Sequence, residues 1–73
     1  MTLDEARALR DEIKLAGYKA EVRPDYSGRA MHGRVTPAVV CNLSPTEFRA
    51  LFPKTWREFA LRADEMGMGW VFY

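Results

Sequence analysis

Two arginines, a serine, a tyrosine and the only histidine of the chain fall within one polar stretch, Asp25-Tyr26-Ser27-Gly28-Arg29-Ala30-Met31-His32-Gly33-Arg34. Backbone N–H groups around glycines form concave anion sites, and arginines add charge and forked donors that match phosphate or carboxylate. Tyr26 offers a ring for stacking, and Ser27 and His32 offer hydrogen bonds. The stretch is also where charge is unbalanced. Residues 26–43 carry Arg29 and Arg34 and no acid, whereas residues 1–25 hold five basic and six acidic groups and residues 44–73 hold four of each. The chemistry indicated is capture of something negative. The competing reading is that Gly28 and Gly33 only permit turns while the arginines are solvated or paired with Asp25. No strand–GxGxxG–helix context and no GK[ST] is present, so neither nucleotide-binding fingerprint applies.

Other chemistry finds less support. His32 has no second histidine and no HxxE or HxxxH spacing around it, so no metal site can be completed. Cys41, the single cysteine, excludes an internal disulfide and lies in an apolar run, where a thiol is usually inert packing. Asp64-Glu65 reads as a solvated helix face rather than a pair of working carboxylates. No nucleophile–base–orienter set is assembled, and neither an enzyme nor a bound cofactor is expected.

The scaffold that must hold the polar stretch is small. Seventy-three residues form one domain near the lower limit for a single core, and an apolar fraction of 48% with 12% aromatics supplies the large side chains it needs. Phe48, Phe52, Trp56, Phe59, Trp70 and Phe72 are the expected core aromatics. A net charge of +1 excludes a strongly basic nucleic-acid arm or an acidic tail. The beginning, Met-Thr-Leu-Asp-Glu, reads as a helix start rather than a signal peptide, and no apolar run approaches the roughly 20 residues that span a bilayer. With no disulfide, a cytoplasmic location is expected.

Thr2 and Glu5 form a capping box, and Leu3, Ala6, Leu9, Ile13 and Ala16 recur at helical spacing until Gly17. Residues 18–23 alternate strictly, with Tyr18, Ala20 and Val22 on one side, and Pro24 is expected to end that strand. Residues 35–43 form a second strand, with Pro37 at its start or at a bulge. Ser44-Pro45-Thr46-Glu47 is a second capping box with proline at the first helical position. Thr55 and Glu58 suggest a third, opening a helix through Trp56, Phe59, Ala60, Ala63 and Met66 that Gly67 stops, before a strand at residues 69–73. That last strand must be buried in its own sheet or against another copy, and Leu15, Leu61 and Tyr73 suggest a self-association patch. The expected fold is a two-layer α+β domain of order α-β-β-α-α-β, a three-stranded, mainly antiparallel sheet with helices packed on one face.

Residues 25–33 resemble the YSGRGMYG signature of small uncharacterised proteins in tailed phages and bacteria, departing from it at Ala30, where glycine is usual, and at His32, where an aromatic is usual. In that group a helix and a GY-x-strand precede the signature, a short valine-rich strand follows it, and a Met-Gly-x-Gly-aromatic strand closes the chain. Tyr18, Val39-Val40 and Met66-Gly67-Met68-Gly69-Trp70 fit the outline. The resemblance implies a phage or mobile-element accessory protein and brings no known activity. The expected function is therefore a non-enzymatic binding module. Tyr26, Ser27, Gly28, Arg29, Met31, His32, Gly33 and Arg34 would take an anionic small molecule or an acidic protein surface. The alternatives are nucleic-acid binding, with the same arginines on phosphates, and a structural homo-oligomer such as a homodimer. No membrane partner is expected.

Overall fold

Helix α1, Leu3–Leu15, is framed by the two devices that its sequence carries. The Thr2 hydroxyl accepts from the Glu5 N–H and the Glu5 carboxylate accepts from the Thr2 N–H, both at 3.1 Å. At the far end Gly17 takes φ +95°, and the N–H groups of Gly17 and Tyr18 reach back to the carbonyls of Lys14 and Ile13. That is the paired closure expected of a helix stopped by a left-handed glycine. In this computed structural model the described residues are 1–27, 35–64, 67 and 69–73.

Strand β1, Ala20–Tyr26, pairs antiparallel with β2, Thr36–Cys41. Pro24 does not end β1. The register steps between Arg23↔Ala38 and Tyr26↔Thr36, so a bulge absorbs the proline and the strand continues. Pro37 lies across from the same irregular step, where the ladder needs no donor from it. The extra residue also reverses the alternation, which puts Tyr26 on the side of Arg23 rather than of Val22. Ser44 and Glu47 close the second capping box at the start of helix α2, Pro45–Leu51.

The third helix does not form. Trp56–Glu58 is one turn of 3-10 helix, Thr55 makes no side-chain cap, and Leu61–Ala63 is a strand, β3. It pairs antiparallel with β4, Trp70–Phe72, and the ladder runs on through two 2.9 Å bonds between Ala60 and Tyr73. The fold is two helices and a four-stranded antiparallel sheet of order β1-β2-β4-β3, not three strands. Residues 59–63 alternate as well as they repeat at helical spacing. The strand wins because a helix there would leave β4, an apolar strand, unpaired along one side. As a strand, Phe59 meets Phe48 edge-to-face at 5.7 Å and Leu61 joins the same core. Gly67 serves this hairpin, donating to the Asp64 carbonyl at 3.1 Å.

The main core lies between the helices and the inner face of the sheet. Ala6, Leu9 and Ile13 from α1 pack with Val39, Cys41, Leu43, Phe48 and Phe72, all buried, and Phe48 stacks on Phe72 at 3.8 Å. Gly69 lets β4 sit close to β2. Its φ is +146°, and a Cβ there would collide with the Cys41 carbonyl oxygen and lie 3.2 Å from Asn42 Cα.

Among the described residues the outer face carries no helix, yet Ala38, Val40 and Val71 are fully buried on it. Among the described residues two features lie over this face. Tyr26 and Tyr73 pack together over one part, with ring centroids 5.6 Å apart. Arg23 of edge strand β1 reaches Asp64, just beyond the opposite edge strand β3, by a two-point contact at 2.9 and 3.3 Å. In a flat sheet these positions lie about three strand spacings and four residues apart, or roughly 19 Å, too far for the two side chains. Accumulated twist must draw those diagonal corners together over the valines.

Candidate functional site

The residues expected to bind an anion belong to the connection between β1 and β2. Of that set the structure places Tyr26 and Ser27, whereas Gly28, Arg29, Met31, His32, Gly33 and Arg34 lie outside the described residues. Tyr26 is half-buried at the mouth of the hairpin, paired with Thr36 and packed on Tyr73, and Ser27 follows it exposed. Tyr26 is thus an anchor for the base of the connection. Asp25, the nearest acid in sequence, is exposed, whereas Asp64 is turned inward to Arg23, with its side chain 1% exposed.

Cys41 is walled off in the core. Burial pushes its thiol pKa up, an effect the Leu43 N–H partly offsets and the Glu47 charge reinforces. A thiol held protonated behind closed packing is no nucleophile. Among the described residues no group of three or more His, Cys, Asp or Glu side chains could hold a metal, and no helix is long and apolar enough to cross a membrane. The expected self-association patch does not assemble. Leu61 faces the helices, Tyr73 packs on Tyr26 on the other side of the sheet, and Leu15 stands alone, 88% exposed, at the end of α1.

A second feature escaped the reading of the sequence. Between α1 and the corner after α2 is a groove of about 210 Å³, floored by Leu9, Phe52 and Phe59 and rimmed by Glu5, Glu12 and Glu58. Arg49 and Arg57, close in sequence to Glu58, both lie over the Trp56 ring instead, at 4.4 and 4.9 Å from its centroid. Among the described residues none of Glu5, Glu12 and Glu58 has an ion pair. The sequence did hold a trace of it: Glu5, Ala8, Glu12 and Leu15 repeat at three and four along one side of α1, beside the core face.

Fold and site together define a small antiparallel α+β domain with a long basic hairpin connection and a separate acidic groove. Compared with known proteins, the chain matches no protein-family model, no curated protein and no solved structure.

Proposed function

We propose that the protein is a non-enzymatic binding module that captures an anionic ligand or an acidic protein surface through residues 25–34. One observation carries the reading. The β1–β2 hairpin spends nine residues, 27–35, on a connection between Tyr26 and Thr36, where two to five usually suffice. That connection contains two arginines and no acid. Long connections on a rigid base carry function more often than fold. The base here is rigid, since the ladder and the Tyr26–Tyr73 contact hold it. Arg29 and Arg34 are the electrostatic anchors, Tyr26 and Ser27 orient the ligand, Gly28 and Gly33 let the backbone approach, and Met31 and His32 complete the contact. The resemblance of residues 25–33 to the phage-borne signature supports service to a phage or mobile element.

The test is a titration with inorganic phosphate and with an Asp/Glu-rich peptide, comparing the parent with Arg29→Ala/Arg34→Ala. The double variant should bind at least tenfold more weakly while melting within a few degrees of the parent. Equal binding by parent and variant would refute the proposal. For the nucleic-acid alternative a net charge of +1 is unfavourable, because phosphate-tracking surfaces are strongly basic. A single-stranded oligonucleotide that fails to bind at about 50 mM salt, where counterion release helps most, removes it.

A further inference from the structure

The acidic groove is lined by no residue of the hairpin connection and has a chemistry of its own. Its floor is apolar, built from Leu9, Phe52 and Phe59, and its volume of about 210 Å³ is below the roughly 300–1,000 Å³ typical of small-molecule pockets. It has room for one large side chain rather than a whole ligand. Every charged residue that lines it is acidic, and none of the three carboxylates has an ion pair among the described residues. The nearby arginines that could have neutralised Glu58 are held over an indole. The α1 side of the groove continues along the helix to Leu15, an exposed leucine in line with Ala8 and Glu12.

From this we propose that the groove docks a basic segment of a different protein. One large apolar side chain of that segment fills the hollow, a second apolar group covers Leu15, and flanking Lys or Arg side chains meet Glu5, Glu12 and Glu58. This is the helix-in-groove mode of recognition, with apolar anchors for affinity and charge for orientation. Charge complementarity selects the occupant. A second copy is disfavoured, because two α1 helices placing Leu15 over each other's Ala8 would bring their Glu12 carboxylates together at the symmetry axis.

The probe is a 14-residue amphipathic peptide of lysine and leucine labelled with a fluorophore, titrated with the full chain and followed by anisotropy. The same peptide with glutamate in place of lysine is the comparison. The parent should bind the lysine peptide saturably and the glutamate peptide at least tenfold more weakly. Two variants separate shape from charge: Ala8→Phe fills the groove without changing charge, and Glu12→Lys/Glu58→Lys reverses the rim. Each should weaken binding at least tenfold, with the circular-dichroism melting curve confirming that both fold. Arg29→Ala/Arg34→Ala should bind the lysine peptide as the parent does. Absence of saturable binding by the parent overturns the proposal. So does loss with the charge variant but not with Ala8→Phe, which would mark general electrostatic attraction. A concentration-dependent dimer of the parent that Ala8→Phe abolishes would overturn it too, by assigning the groove to a second copy.

Discussion

Replacing Arg23 by methionine tests the outer face of the sheet directly. The Arg23 side chain is 24% exposed, and its guanidinium makes a two-point contact with Asp64, whose side chain is 1% exposed. Removing it takes the Arg23 cation from a carboxylate in a closed environment, on the face of the sheet where Val40 and Val71 are buried. Breaking one side of a buried pair costs about 3–5 kcal/mol. The low end applies, since the Arg23 side chain is partly exposed. A domain of this length has about 4–11 kcal/mol in total, so a loss of about 3 kcal/mol removes a large share of it. At about 4–8 °C per kcal/mol for a domain of this size, melting should fall by roughly 12–24 °C. Urea unfolding followed by tryptophan fluorescence reads the same quantity through Trp56 and Trp70, both packed against the core. Arg23→Met/Asp64→Leu supplies the control. With the carboxylate replaced as well, it should recover most of the loss, because apolar replacement of a buried pair is often neutral. Arg23→Met within about 1 kcal/mol of the parent would refute the argument. A double variant no better than the single one would do the same.

Other outcomes follow from the same geometry. Hydrogen bonds from the Thr2 and Ser44 N–H groups, then from their hydroxyls, hold the Glu5 and Glu47 carboxyls below the ordinary range. Carboxyls with depressed folded-state pKa values contribute stability above their unfolded pKa of roughly 4.3 and lose it as pH falls through the folded values. Melting temperature should therefore hold from pH 7 to 5 and decline below pH 4, and Thr2→Val/Ser44→Ala should flatten that decline. Cys41 should resist a thiol reagent such as dithionitrobenzoate in the native protein and react in full in denaturant; fast native labelling would contradict its burial. Gly69→Ala should cost at least about 1–3 kcal/mol from backbone conformation alone, with the clash at Cys41 added, and a melting curve unchanged from the parent would refute the close approach of β4 to β2.

What could be read from the sequence was whatever is decided within a few residues. Both capping boxes that formed, the Gly17 stop, the alternation of β1 and the proline at the start of α2 depend on neighbours in the chain. The box at Thr55 and Glu58 shows the limit of that logic. The same pattern is present, but Pro53 leaves only a single turn before the chain enters the sheet, and pairing with β4 is worth more than a third helix. Competition with a strand ten residues away leaves no local mark. The bulge is a similar case. Pro24 signals that a donor is missing, and whether the strand ends or steps past it depends on Thr36 across the ladder.

The candidate sites were legible to different degrees for a related reason. The basic connection announces itself, because residues 25–34 are contiguous and contain no countercharge between Arg29 and Arg34. The acidic groove draws Glu5 and Glu12 from one helix and Glu58 from a turn more than forty residues on, so only packing assembles it. A net charge of +1 averages the two away. What decides binding is therefore the local excess at each surface. A near-neutral chain of this size can carry one surface for acidic partners and another for basic ones. Raising salt should weaken both, and the apolar floor of the groove should leave its binding the less sensitive of the two.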